Sequence, residues 1–265
     1  MGAKARIHIN RAIMAAIVIA AAIALWRLPL PIALQAGITV IGLAIGGFIA
    51  FRMIPAFDPF GRVAWHLPPD VNGRKTCAIT FDDGPSADTA AVLDVLKQGG
   101  VRATFFVLAG NARRHPALLR RLADEGHTVA IHGDTHRKLH RADESEVEVE
   151  VDRAIAGLRA LGVEPARLYR TPHGVKNAAV FRVSARRGLK LWAWSRGIWD
   201  TDRPAAEVLV ARATRLARAG MVLLLHDGRG DEETPDVSAM VAALPRIIAK
   251  LAADGFAFVT LDAAA

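Results

Sequence analysis

Thr80-Phe81-Asp82-Asp83-Gly84-Pro85 closes the apolar run Cys77-Ala78-Ile79 with two adjacent carboxylates and then breaks it with Gly-Pro. An apolar run bounded by turn residues reads as a buried strand. Both aspartates then stand at its C-terminal lip, where α/β folds keep their chemistry. About fifty residues on, Thr128-Val129-Ala130-Ile131-His132 reads as another strand, ending on the first of two histidines four apart, His132 and His136. One carboxylate and two imidazoles suffice to hold a divalent metal with positions left open for water and substrate. The second carboxylate is then free to take a proton.

Outward from these two stretches the chain alternates strand-like and helix-like segments. Strands are predicted at 76–82, 103–108, 128–132, 168–171, 189–195, 221–226 and 256–261. Helices are predicted between them at 87–98, 116–125, 143–161, 177–187, 205–219 and 237–253. Glu146-Val147-Glu148-Val149-Glu150-Val151 alternates like a strand. It still reads as helix, because Val147, Val151, Ile155 and Leu158 fall on one helical face and parallel strands need a crossover there. Seven strands with intervening helices predict an α/β fold, a distorted (β/α)7 barrel, with a doubly wound sheet as the alternative.

The front of the chain differs in composition. The 265 residues are 52% hydrophobic with a formal net charge of +8. Much of both surpluses lies in residues 1–62, where Lys4, Arg6, Arg11, Arg27, Arg52 and Arg62 face Asp58 alone. The basic balance therefore belongs to a membrane-proximal segment and implies no nucleic-acid partner. Two transmembrane helices are expected, at about 12–28 and 32–51, with Pro29 and Pro31 at the break between them. The uncharged part of the first, at roughly 22 Å, is short for a hydrocarbon core of about 30 Å. Residues 1–53 then form a membrane anchor, 54–73 a linker, and 74–265 the catalytic domain. Basic residues flanking the spans favour an inner-membrane hairpin with both ends, and so the catalytic domain, on the cytoplasmic side. Cys77, the one cysteine, excludes an intrachain disulfide and reads as a small core residue.

Polar residues gather at the ends of successive predicted strands. Asp82 and Asp83 end the first and His132 the third. Arg170-Thr171-Pro172-His173-Gly174 follows the fourth, Asp200 the fifth, and His226-Asp227-Gly228 the sixth. Each alone has a bland structural reading, but their convergence on one face points to a shared site. His115 and His140, in polar loops, are left outside it.

These residues resemble the polysaccharide deacetylases of carbohydrate esterase family 4, the NodB-homology group, over roughly Thr76 to Leu261. The family's first motif is matched by Thr80-Phe81-Asp82-Asp83-Gly84-Pro85, and its His-x-x-x-His motif by His132 and His136. Its Arg-x-Pro-x-Gly motif falls on Arg170-Thr171-Pro172-His173-Gly174, and its Leu-x-His motif on Leu224-Leu225-His226. The resemblance implies a distorted (β/α) barrel and metal-dependent removal of an acyl group, acetyl or formyl, from an amino sugar in a glycan or lipid-linked form. It implies Asp83, His132 and His136 as ligands of Zn2+ or another divalent metal, Asp82 as base, and Arg170 as the residue that orients it. His226 corresponds to the general acid and Leu224 to the acyl-methyl pocket. In the fourth motif, Gly197-Ile198-Trp199-Asp200-Thr201, Asp200 is kept. Gly197 stands where an Asp is usual and Thr201 where an aromatic is usual. Asp200 is expected to tune His226 or pair with Arg170, and Trp199 to wall the acyl pocket. His173 replaces a usual Tyr or Phe beside the substrate, and Ile131 a common Asn. The rival readings are a non-haem iron oxygenase, which has no use for Arg170 and His226, and an inactive membrane-tethered glycan-binding module.

Overall fold

The computed structural model describes residues 30–53, 58, 61–71 and 73–263. It divides into two compact units, one ending at Ala50 and one beginning at Phe51. A helix, α1, runs Ile32–Met53 over the second expected span. Among the described residues no helix is long and apolar enough to cross a membrane. The expected transmembrane hairpin is therefore unsupported, and its first span, 12–28, lies outside the described residues.

The second unit follows the expected alternation. In chain order it contains β1 (Val63–Ala64), β2 (Asp70–Val71), β3 (Arg74–Asp82), α2 (Thr89–Gln98), β4 (Thr104–Leu108), α3 (Ala109–Arg114) and α4 (Pro116–Asp124). Then come β5 (Thr128–Gly133), α5 (Glu144–Ala160), β6 (Leu168–Tyr169), α6 (Ala178–Arg186), β7 (Lys190–Trp192) and β8 (Arg196–Gly197). It closes with α7 (Ala206–Thr214), β9 (Met221–His226), α8 (Ser238–Ala253) and β10 (Phe256–Phe258). The sheet order is β1-β7-β6-β5-β4-β3-β9-β8, with β10 and β2 both on β3. Every pairing is parallel except that of β2.

Two corrections follow from that order. The expected fifth strand, 189–195, is strand only at Lys190–Trp192, and a second short strand, Arg196–Gly197, follows beyond it, because the backbone changes partners between the two. Ala193 donates its N–H to Ala64 O, whereas Ser195 donates to Val222 O. One stretch of chain thus meets β6 and β1 at its start and β9 at its end, and the sheet curls into an incomplete barrel rather than a doubly wound sheet. The segment 54–73, expected as linker, supplies β1 and β2 and so belongs partly to the sheet.

Side-chain alternation decides what faces where. On β3, Cys77, Ile79 and Phe81 pack into the large core beneath the helices, while Ala78 joins a smaller inner cluster with Phe106, Ala130, Leu168, Trp192 and Val222. Strand side chains repeat every two residues. The inward parity therefore runs Ala78-Thr80-Asp82, Ala130-His132, Leu168-Arg170, Trp192-Trp194 and Val222-Leu224-His226. Those are the positions that carry polar or pocket-forming groups at the C-terminal ends. The outer face is apolar, and each fully buried Leu, Ile or Phe there contributes about 1.5–3 kcal/mol. Cys77 lies in that core with its thiol pushed up to about 12 by burial.

The alternating Glu-Val segment is helical, as α5. A capping box starts it: Asp143 accepts the Glu146 N–H and Glu146 accepts the Asp143 N–H, each at 2.9 Å. Val147, Val151 and Leu158 are fully buried on one face.

Candidate active site

Asp82 is the last residue of β3 and points into the barrel by parity. Asp83 would point outward, but its φ of 76° turns the chain and brings its carboxylate to the same mouth. Gly84 follows because a side chain there has no room: a Cβ would lie 2.0 Å from Asp227 Oδ2. The buried Asp227 carboxyl, pushed up to about 7 by burial, sits directly under this turn and accepts the Thr89 hydroxyl at 2.7 Å.

Asp83 Oδ1 lies 3.2 Å from His132 Nε2 and 3.1 Å from His136 Nε2. His132 comes from the end of β5, and His136 from the loop after it in a left-handed conformation with φ 59°. The Nδ1 of His132 is 2.8 Å from Arg170 O. That carbonyl only accepts, so Nδ1 carries the proton and Nε2 is left to face Asp83. Asp83 Oδ2 accepts the Gly230 N–H at 2.8 Å. Its Oδ1 is buried and, among the described residues, has no hydrogen bond of acceptable geometry.

A buried carboxylate oxygen facing two imidazole nitrogens fits a cation better than it fits anything present in the protein. The three candidate ligand atoms lie within 4.8 Å of one another, the one such cluster among the described residues. Burial works against the Asp83 charge, but the two imidazoles, with His226, hold its carboxyl well below the usual carboxylate range. Burial likewise opposes a charge on His132, and the charges of Asp82 and Asp83 outweigh it and push His132 up.

The other aspartate has a different partner. Arg170, wholly buried, donates from Nη1 to Asp82 Oδ1 at 2.7 Å and to Thr80 Oγ1 at 2.9 Å. Its Nη2 donates to Ala193 O at 2.9 Å, and the guanidinium lies 4.0 Å over the Phe106 ring. Burial draws its pKa down despite Asp82. The result is a fixed Asp82 whose Oδ2 remains toward the cavity, 3.9 Å from His132 Nε2.

Across the mouth, Asp200 holds His226 by both its backbone and its ring. The ring bond occupies Nδ1 and leaves Nε2 for the cavity that His226 lines. Burial disfavours the imidazolium, but Asp200, with Asp83 and Asp82, pushes His226 up to about 10.

The cavity, about 520 Å3, is lined by Asp82, Asp83, His132, His136 and His226, with Leu224, Trp194 and Ile198 as its apolar side. Trp199, half exposed with φ 56°, and His173 also line it. The His173 ring lies 4.3 Å from that of His136, and burial, with the His136 charge, pushes His173 down to about 4. All ten site residues expected from the sequence thus meet around one mouth, of which Arg170 alone stands behind the wall. His115 and His140 do not line it.

Two participants escaped the sequence reading. Asn111, on α3, donates from Nδ2 to Asp83 O at 2.6 Å and to Gly230 O at 2.8 Å. The loop after β9 contributes Arg229, Gly230, Asp231 and Glu232 to the rim. The Gly-rich, charged run Gly228–Asp231 directly after His226 was the available signal for the loop, whereas nothing local marks Asn111.

Residues 70–192 match the family model described as polysaccharide deacetylase. The chain is 35% identical over 210 residues to a peptidoglycan-N-acetylglucosamine deacetylase of Bacillus cereus, spanning 77% of this chain and 93% of that one. It is 36% identical over 197 residues to a chitooligosaccharide deacetylase of Sinorhizobium fredii, spanning 72% and 92%. Among solved structures, a family 4 carbohydrate esterase from Streptomyces lividans, in complex with acetate, matches with a TM-score of 0.63 at 32% identity. That match covers 69% of this chain and 91% of the other.

Proposed function

Since this chain belongs to the polysaccharide deacetylase family and is a carbohydrate deacetylase, we propose that it hydrolyses the N-acetyl group of an amino sugar within a glycan. Asp83, His132 and His136 would hold a divalent ion, with zinc the best fit to a carboxylate and two imidazoles. When bound, such an ion lowers the pKa of water to about 7 and polarises an amide oxygen. The observation that carries this reading is the buried Asp83 Oδ1 left facing two imidazole nitrogens, beside a separately anchored Asp82.

The protein's own groups divide the proton work. Arg170 orients Asp82 so that Oδ2 takes the proton of the attacking water. Cleavage of the C–N bond expels an amine, a poor leaving group until it is protonated. His226, charged at neutral pH because of Asp200, gives its Nε2 proton to that nitrogen. Help of this kind is typically worth about 100- to 10,000-fold. Leu224, Ile198 and Trp194 offer the acyl methyl an apolar wall, and Trp199 an exposed aromatic face at the rim.

The test is acetate release from an N-acetylated chitooligosaccharide and from peptidoglycan fragments. Release should stop with a chelator and return with added zinc. No release from either substrate at saturating zinc would overturn the proposal.

The anchor is a separate proposal. Apolar composition over 12–28 and 32–51, with Lys4, Arg6 and Arg11 before the first span and Arg52 and Arg62 after the second against Arg27 alone near the break, supports a hairpin that tethers the domain to the inner membrane on its cytoplasmic side. A lipid-linked amino sugar is the substrate that such a topology brings within reach.

A further inference from the structure

The loop that carries His136 is gripped from outside the cavity by a carboxylate that the chemistry above does not use. Glu150 lies on α5, where Glu146 closes the capping box and Glu148 pairs with the exposed Arg186. Glu150 instead turns inward and is buried. Its Oε2 accepts the backbone N–H groups of Asp134 and Thr135, each at 3.1 Å, and its Oε1 accepts the Thr135 hydroxyl at 2.6 Å. A carboxylate is costly to bury unless its oxygens are satisfied, and these three donors satisfy it.

The far side of the loop is pinned as well. Gly110 donates its N–H to Asp134 O at 3.1 Å, and Arg113 Nη2 donates to Asp134 Oδ1 at 2.7 Å. On either side of the gripped Asp134 and Thr135 the backbone takes a positive φ, 115° at Gly133 and 59° at His136. A residue with a Cβ stays in the left-handed region only where its surroundings hold it there. That conformation is what sends His136 Nε2 back to within 3.1 Å of Asp83 Oδ1.

We propose that Glu150 is a positioning residue for the metal site: by collecting two loop amides and one hydroxyl, it sets the loop shape that aims His136 at the ion. The proposal rests on Asp83, His132 and His136 being the ligands. It differs from a merely structural role, because a structural glutamate would change the stability of the metal-free fold and leave the zinc affinity of the folded protein alone.

The experiment titrates zinc into the metal-stripped full chain against a chromophoric chelator, for wild type, Glu150→Gln, Glu150→Ala and Thr135→Val. Outer groups that orient metal ligands typically contribute 10- to 100-fold in affinity. Glu150→Ala should lose about that much while keeping the wild-type circular dichroism spectrum. Glu150→Gln, whose amide oxygen still accepts both N–H groups, should stay within about threefold, and Thr135→Val should fall between the two. Wild-type affinity in a folded Glu150→Ala overturns the proposal. Should that variant not fold, Thr135→Val decides, and an unchanged affinity there overturns it equally. Wild type that takes up no zinc overturns the ligand assignment itself, a result distinct from either.

Discussion

Asp200 binds His226 twice, accepting the backbone N–H on Oδ2 at 2.7 Å and facing Nδ1 with Oδ1 at 3.0 Å. One carboxylate thereby fixes the ring's place, its tautomer and its charge. The folded pKa of about 10 stands above the usual imidazole value of 6.5. The charge therefore contributes stability that is complete below pH 6.5 and is lost as pH rises through about 10. Asp200→Ala should bring the alkaline limb of kcat/KM down toward the ordinary histidine range. In metal-stripped protein, it should narrow the stability gap to wild type as pH rises from 6 to 10. Unchanged pH profiles of rate and of urea unfolding would reduce Asp200 to a packing residue.

His226→Ala should cost about 100- to 10,000-fold in kcat, with zinc retained. An Asp82→Asn variant should behave alike, since it removes the base and leaves the three candidate ligands in place. Turnover within threefold of wild type in either variant would refute the division of proton work.

Arg170 and Asp82 form a buried pair, so removing one partner strands the other. Arg170→Met should destabilise the fold by about 3–5 kcal/mol in urea unfolding, and Arg170→Met with Asp82→Leu should recover part of that loss. Additive losses in the two single variants would show that the pair does not interact.

Gly197 invites restoration of the family's aspartate, and the structure predicts that restoration fails. A Cβ there would lie 3.1 Å from Trp194 Nε1, so Gly197→Asp should shift the Trp194 ring by a few tenths of an ångström and crowd the apolar side of the cavity. KM should rise and kcat fall; a faster enzyme would disprove the packing argument.

Membrane side is decided by paired C-terminal reporter fusions, one active only in the cytoplasm and one only outside it. The proposed hairpin predicts signal from the cytoplasmic reporter alone. Signal from the external reporter alone rejects the hairpin and the lipid-linked substrate together.

Much of this architecture was legible because the residues that build it also flank the chemistry. β9 runs Met221–His226, as expected, since an apolar run stops at a histidine. Helix α5 was legible against its own alternation because Val147, Val151 and Leu158 keep helical spacing. The end of the fifth strand at Trp192 was not, because hydrogen-bond partners at Ala193 and Ser195 come from residues far off in sequence. α3 has six residues and no side-chain cap, and so carries no helical signal of its own. The same limit hid Asn111, whose two partners lie 28 and 119 residues away. Glu150 was hidden differently: in sequence it is one more acid on a charged face, and only the fold turns it inward.

The seam at residues 190–197 carries an evolutionary consequence. Trp194 lies in the broken stretch, and Ile198 and Trp199 follow it directly. The candidate metal ligands depend on β3, β4 and β5, which pair side by side on another part of the wall, with one register shift where Val107 meets Ile131 and Leu108 meets Gly133. Changes in the seam therefore reshape the space offered to the acyl group while sparing the strands that support the ligands. Acceptance of new acyl groups and the set of candidate metal ligands are free to drift at different rates in this fold, whereas Arg170, held by Ala193 O, stays tied to the seam.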